Sequence, residues 1–287
     1  MRGHLGLELL VTATGVEQGR LTSPLQGGGD MEGLGALRHE AVRLATRWRY
    51  VLAGLAMLAV GILSMISRRE CLVTGPGTDG FVSHSGSMLW LSELDSAGIF
   101  FLLWPLIIGG TLAEDLESGL ASLLITRSGS RWRWLGAKLG AAYVSSTALL
   151  LVLATVWLIV AVLLAPWDPT HAGAVVAWGR QLATAAPLAL GLIVVLILGF
   201  AGATTSAMTM LLAALGAGRT TSQVGASVAY LGLMILMPGP VNPGDRASML
   251  SVFAEWATPL STVLYWACAF GLTAGITYIL LRVRENR

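Results

Sequence analysis

The chain has 287 residues, of which 55% are apolar and only 12% are charged, whereas about 25% of the residues in an average soluble domain are charged. So few charges cannot cover the surface of a soluble enzyme of this size, and so apolar a composition excludes intrinsic disorder for the bulk of the chain. The formal net charge of +2 gives no basis for a nucleic-acid partner. The two cysteines, Cys71 and Cys268, provide neither a disulfide framework nor a metal-site spacing.

Residues 1–30 do not resemble a signal peptide, because their apolar stretch is short and is interrupted by Glu8. Two interpretations stay open for this segment. It is a flexible N-terminal tail, or it is a translated leader ahead of a true start at Met31. The second interpretation follows from the run Gly-Gly-Gly-Asp before Met31, since glycine codons are rich in G, as ribosome-binding sites are.

Residues 31–49 are predicted to form an amphipathic helix. Leu34, Leu37, Leu44 and Trp48 fall on one side of a helical wheel together with two alanines. The opposite side is polar and consists of His39, Glu40, Arg43 and Arg47. Such a helix is expected to lie on the inner membrane surface, with its arginines toward the lipid headgroups.

Six long stretches of the chain contain no Asp, Glu, Lys or Arg. Charged residues are costly in a bilayer, and a helix needs about 20 residues to cross its hydrocarbon core. We therefore predict an all-α integral membrane fold, in which residues 50–287 form a domain of six transmembrane helices. The predicted spans are 50–66, 97–113, 140–164, 183–204, 223–237 and 260–281.

The fourth charge-free stretch, 181–218, is long for one span and short for two. We predict one long helix, which the small polar residues from Ala203 to Ser206 allow to bend. It is expected to emerge from the membrane between Met208 and Gly218.

The distribution of arginine determines the predicted orientation. With both termini in the cytoplasm, 14 of the 18 basic residues lie on the inner side, as the positive-inside rule requires. A bacterial plasma membrane and a multi-pass topology follow as expectations. The pair Arg68–Arg69, just outside the first span, is a local exception.

The connection between the second and third predicted spans is the most informative segment. Three acidic residues come first: Glu114, Asp115 and Glu117. A short apolar helix is predicted next, because Leu120, Leu123 and Leu124 share a face. A Ser-Gly-Ser break and several basic residues follow. The sequence therefore predicts a short cytoplasmic helix held against the membrane between two spans.

This segment resembles the permease subunits of type-two ABC exporters. The resemblance rests on Glu117-Ser118-Gly119, the Leu123-Leu124 pair, Arg131 and Gly136-Ala137-Lys138, together with the six-span topology and the N-terminal helix. It implies that the short helix is a coupling helix that docks on a separate ATPase subunit, which binds ATP and Mg. It also implies a second permease subunit, identical or different, with the path between the two. The coupling residues implied by this resemblance and by the loop's charges are Glu114, Asp115, Glu117, Gly119, Arg127, Arg131 and Lys138.

The remaining motifs are few. The chain contains no Gly-x-x-x-x-Gly-Lys-Ser/Thr loop, so we expect no ATP site, no cofactor and no enzymatic activity in this subunit. Its four histidines lack metal-ligand spacing. Gly271 and Gly275 form a Gly-x-x-x-Gly motif in the last span, typical of close helix packing within a monomer or across a dimer.

Two other functions stay open at this point. A non-transporting membrane protein, such as an assembly or immunity factor, would have the same composition but no ATPase partner. A secondary carrier is a weaker alternative, because the predicted spans contain no ionisable side chain.

Overall fold

The structure, a computed structural model, describes residues 29–68, 70–73, 80–83, 85–128, 130–170, 180–237, 239–247 and 258–285. The predicted tail or leader, residues 1–30, thus lies outside the described residues except for its last two positions. The described chain is helical apart from a short antiparallel hairpin, in which β1 (Glu70–Val73) pairs with β2 (Gly80–Ser83) and Cys71 lies opposite Val82. The hairpin lies in the first predicted outer loop.

The α-helices follow in chain order. The first six are α1 (Gly29–Ala45), α2 (Trp48–Arg68), α3 (Gly86–Ser96), α4 (Trp104–Ile107), α5 (Thr111–Glu117) and α6 (Leu120–Ser128). The last six are α7 (Arg131–Leu164), α8 (Arg180–Ala185), α9 (Pro187–Ala214), α10 (Arg219–Leu236), α11 (Pro243–Ala247) and α12 (Pro259–Glu285). The described part also contains two 3₁₀ helices. Ala97–Leu102 connects α3 to α4, and Gly239–Val241 precedes α11.

Four of these helices are long and apolar enough to cross a membrane: α2, α7, α9 and α12. They match the first, third, fourth and sixth predicted spans. Four such helices are characteristic of a multi-pass membrane protein. The total of six spans stays a prediction, because the segments at the second and fifth predicted spans differ from long apolar helices.

The second predicted span, 97–113, is broken rather than continuous. It comprises the 3₁₀ helix, α4 and α5, with a turn at Ile108–Gly110 between the last two. Pro105 has no backbone N–H to continue a helix from the preceding turn. The break leaves the Leu106 carbonyl oxygen to accept a hydrogen bond from Gln223 Nε2 at 3.2 Å. A side chain of α10 thus satisfies a carbonyl group beside the interruption.

The fifth predicted span, 223–237, is α10, which has 18 residues and begins at Arg219. Its first turns are polar, from Arg219 to Gln223, and its apolar part is correspondingly short. Gln223 and Ser222 are buried against the rest of the bundle. The first turns of α10 therefore serve contacts inside the molecule.

The helix predicted within 181–218 is interrupted near its start, not at Ala203–Ser206. The interruption is at Ala186, between α8 and α9, where Pro187 begins the new helix. α9 runs through the polar positions because their hydroxyl groups are satisfied within the helix. Ser206 Oγ, for example, donates to the Gly202 carbonyl at 2.9 Å. α9 ends at Ala214, and Gly216 takes a positive φ of 101° in the turn to α10.

α9 is the central helix of the bundle and packs against α7, α10 and α12. Its glycines admit bulky neighbours. A methyl group at Gly191 would overlap the ring of Trp90, and one at Gly202 would meet Trp104. The Trp90 indole N–H also donates to the Ala154 carbonyl of α7 at 2.8 Å. Because both tryptophans come from α3 and α4, this packing draws the broken segment into the bundle.

A carboxylate of α3, from the first predicted outer loop, is buried against the bundle. Glu93 of α3 is 2% exposed, and α3 packs against α2, α7 and α9. Ser64 Oγ donates to Glu93 Oε1 at 2.6 Å, and Arg68 Nη1 lies 3.7 Å from the same oxygen. Glu93 belongs to the first predicted outer loop and not to a predicted span, so the absence of ionisable side chains from the spans stays a prediction.

Candidate functional site

A short helix, α6, lies between α5 and α7, where the sequence predicts one. Gly119 separates it from α5 and has a φ of +73°, which glycine adopts without steric cost. At the other end, Ser130 Oγ accepts a hydrogen bond from the Arg133 backbone N–H at 3.2 Å and caps α7. Local sequence therefore defines both ends of α6.

Lys138 is the centre of a buried ion network at this end of the bundle. Its side chain is fully buried, and it belongs to the second turn of α7. The ammonium nitrogen lies 2.6 Å from Asp115 Oδ2 of α5 and 3.3 Å from Glu40 Oε1 of α1. Asp115 is also fully buried. One lysine thus joins three helices, and its burial requires both carboxylates.

Arg43 extends the network along α1. Its Nη1 donates to Asp115 Oδ1 at 3.0 Å and lies 3.5 Å from Glu40 Oε1. Its Nη2 lies 3.5 Å from Glu114 Oε2. Burial by itself lowers the pKa of Arg43, but the charge and hydrogen bond of Asp115, with the charges of Glu40 and Glu114, outweigh it and raise the pKa. Arg43 is therefore held as a cation.

Glu114 and Glu117 connect the same region to α10. Glu114 pairs with Arg47, and its Oε1 lies 3.7 Å from Arg219 Nη1. Glu117 Oε1 accepts a hydrogen bond from the Arg219 backbone N–H at 2.6 Å. The start of α10 is thus in contact with both glutamates at the end of α5.

The ion pairs of the network join three carboxylates to four cations, and such partners are the condition for burying charged groups in an apolar bundle. The carboxylates are Glu40, Glu114 and Asp115, and the cations are Arg43, Arg47, Lys138 and Arg219. Glu117 is exposed and adds a hydrogen bond to the Arg219 backbone.

The structure therefore corrects the predicted role of α1. Glu40 is buried, and Arg43 and Arg47 pair with α5, so these three side chains do not face lipid headgroups. The two arginines instead meet carboxylates about 70 residues further along the chain. The helix also ends at Ala45, and Trp48 already belongs to α2.

The predicted coupling residues fall into different environments. Asp115 and Lys138 are fully buried, so their side chains are not surface groups that a partner can touch. Glu114 is half-buried, whereas Glu117 and Gly119 are exposed. Arg131 is half-buried in the first turn of α7, and Arg127 belongs to α6, while its side chain lies outside the described part.

Sequence reasoning missed Glu40, Arg43, Arg47 and Arg219 as members of this site. A signal exists for each. Glu40, Arg43 and Arg47 have the spacing of one helical face. Arg219 is the only charged residue between Arg180 and Asp245, and so isolated a charge in apolar sequence calls for a partner.

The outer surface of α6 exposes two leucines beside the polar residues Ser122 and Thr126. Leu120 and Leu123 are 48% and 59% exposed, while Leu124 and Ile125 pack inward against a core that includes Leu112 and Trp134. α6 therefore presents two leucines outward at the end of the molecule that contains the ion network. Exposed basic residues lie on neighbouring elements at this end: Arg38, Arg133 and Arg282.

The predicted packing glycines of the last span, Gly271 and Gly275, have open space beside them in the described part of the chain. Among the described residues, nothing lies within 4 Å of a methyl group placed at either position. The described part therefore shows no close packing at these two glycines. Contact with a second permease subunit stays a prediction.

The site consists of ion pairs that hold helices together and of α6, which exposes two leucines. It can therefore stabilise the fold and offer a contact surface. Among the residues that the structure describes, no three His, Cys, Asp or Glu side chains come together as a metal site. Comparison with known protein families, curated proteins and solved structures finds no match to this chain.

Proposed function

We propose that the chain is the membrane-spanning permease subunit of an ATP-driven exporter. In this proposal α6 is the coupling helix and docks on a separate nucleotide-binding ATPase, which supplies the ATP and Mg site. Two permease subunits, identical or different, enclose the path. The observation that carries the proposal is the pair of exposed leucines on α6, a short helix whose flanking segments are joined by buried ion pairs.

The proposal includes six spans in a bacterial plasma membrane, with both termini in the cytoplasm. The second span is the broken segment from α3 to α5, residues 86–117, and the fifth is α10. A helical segment of that length exceeds the ~30 Å of a hydrocarbon core at about 1.5 Å per residue. Gln223 supports this assignment, since it satisfies a carbonyl oxygen beside the interruption.

The chemistry of α6 favours a partner with an apolar groove and an acidic rim. Two outward leucines suit the groove, because a helix commonly binds through apolar residues on one face. The exposed arginines 38, 133 and 282 around this end suit acidic side chains at the rim.

The test is purification of the tagged chain from its native host, with a co-purifying nucleotide-binding ATPase as the expected partner. Leu123→Asp is expected to weaken association by about 2 kcal/mol, or about 30-fold, because a buried leucine contact is replaced by a charge. Leu215→Asp is the matched control, since Leu215 is equally exposed at the same end but lies outside α6. The control variant should retain the ATPase.

The possible results separate the candidate functions. Loss of the partner in both variants would contradict a specific role for α6. If no ATPase co-purifies even with the unmodified chain, the proposal fails and the non-transporting assembly or immunity protein takes its place. Glu93 then also makes an ion-coupled carrier a reasonable alternative, because it places a buried carboxylate inside the bundle.

A further inference from the structure

Glu117 supplies the cap that α10 lacks in its own sequence. The residue before α10 is Gly218, which has no side chain to accept from the backbone N–H groups of the first turn. Glu117 Oε1 takes that place and accepts from the Arg219 backbone N–H at 2.6 Å. The carboxylate charge also suits the positive end of the helix dipole. A residue of α5, about 100 positions earlier, thus completes the N-terminus of α10.

Two further contacts join α5 and α4 to the start of α10. Arg219 Nη1 lies 3.7 Å from Glu114 Oε1, and Gln223 Nε2 donates to the Leu106 carbonyl at 3.2 Å. Gly110 makes this approach possible, because a methyl group there would lie 2.5 Å from Gln223 Nε2. The first turns of α10 are therefore in direct contact with the segment that precedes α6.

α5 is a separate short segment between two turns. The turn Ile108–Gly110 precedes it, and Ser118 and Gly119 follow it and lead directly into α6. A displacement of α6 therefore reaches α5 directly through Ser118 and Gly119. Because Glu117 is the last residue of α5, its hydrogen bond is the contact nearest to α6 through which α10 is held.

We propose that Glu117 is a positioning residue that transmits a movement of α6 to α10 through its hydrogen bond to the N-terminus of that helix. This inference rests on the proposed function, in which an ATPase moves α6. It also replaces the role expected from sequence, in which the Glu117 charge contacts the ATPase itself. In this new role the Glu117 side chain acts mainly as a hydrogen-bond acceptor and less through its charge.

The first experiment examines the hydrogen bond in the purified chain, without an ATPase, by hydrogen–deuterium exchange in lipid nanodiscs. In Glu117→Ala, exchange in the first turn of α10 is expected to rise about fivefold, the usual effect of losing a helix cap. Glu117→Gln keeps the acceptor oxygen and should show a much smaller rise. Ser122→Ala, an exposed change on α6, is the control. Unchanged exchange in Glu117→Ala would overturn the inference.

The second experiment adds the ATPase and compares its co-purification with transport-linked ATP hydrolysis. Glu117→Ala should keep the partner and lose about tenfold in transport-linked hydrolysis, a typical coupling factor. Glu117→Gln should restore most of it. If both variants lose the partner, Glu117 is a docking residue and the inference is overturned.

The inference is likewise overturned if Glu117→Ala keeps full transport-linked hydrolysis. If the unmodified chain binds no ATPase, the proposed function fails, and with it the transmitted movement. The exchange measurement then still decides whether Glu117 caps α10.

Discussion

Lys138 has two roles in this chain, one in the predicted orientation and one in the packing of the helices. At the start of an apolar helix it provides a positive charge on the predicted inner side. In the structure it is fully buried between Asp115 and Glu40. Such a lysine stabilises the folded chain only while both carboxylates compensate its charge.

Removing this charge is expected to destabilise the folded chain strongly. Lys138→Met should lower the free energy of unfolding by about 3 kcal/mol, because Asp115 and Glu40 then lose a buried partner. The measurement is thermal unfolding of the purified protein in detergent. Arg133→Met, an exposed change on the same helix, should have little effect.

A paired variant separates charge from packing. Lys138→Met combined with Asp115→Asn should recover part of the lost stability, since the second change removes a buried carboxylate that has lost one of its two cations. If Lys138→Met unfolds at the same temperature as Arg133→Met, the buried network does not stabilise the protein.

At the scale of elements, two glycines of α9 allow bulky side chains of neighbouring helices to approach it closely. α9 packs closely against its neighbours because tryptophans from α3 and α4 occupy the space over Gly191 and Gly202. The last helix differs, since nothing in the described chain approaches Gly271 or Gly275. Glycine thus lies at close helix contacts in α9 but has no close neighbour in the described chain at these positions of α12.

This difference predicts opposite results for the same substitution. Gly191→Ala should cost about 1–3 kcal/mol of stability, because the added methyl group overlaps the ring of Trp90 and the packed bundle must shift. Gly271→Ala should leave the stability of the monomer unchanged or slightly raised, since alanine favours a helix. Thermal unfolding of both variants in detergent checks the prediction. Equal losses would show that the contact with Trp90 is not what makes Gly191 necessary.

At the scale of the whole molecule, the two cysteines report the topology. Cys71 belongs to the hairpin strand β1, in the first predicted outer loop. Cys268 lies on an exposed side of α12, inside the part of that helix that is apolar enough to span a membrane.

In intact cells a membrane-impermeant maleimide is expected to label Cys71 and not Cys268. The charged reagent reaches an outer loop, whereas lipid covers an exposed position in mid-span. A Cys71→Ser variant gives the background. Labelling of Cys71 only after permeabilisation would invert the proposed topology.

The sequence by itself determined the features that depend on local composition. A long apolar stretch crosses a membrane whatever its neighbours are, and α2, α7, α9 and α12 therefore lie where charge-free stretches predicted them. The ends of α6 are likewise local, since Gly119 and Ser130 act on their own neighbours.

Only the tertiary structure decided which charges meet. Arg43 pairs with Asp115, and Glu117 caps α10, across about 70 and 100 residues of chain. Helical periodicity places a side chain on a face but does not say what that face meets, so the pattern alone predicts lipid headgroups as the partners of Arg43 and Arg47. The partner of the Leu106 carbonyl, within the second predicted span, is in the same way a distant residue, Gln223. Buried polar groups select their partners by proximity in the folded bundle, and that proximity exists only once the helices have packed.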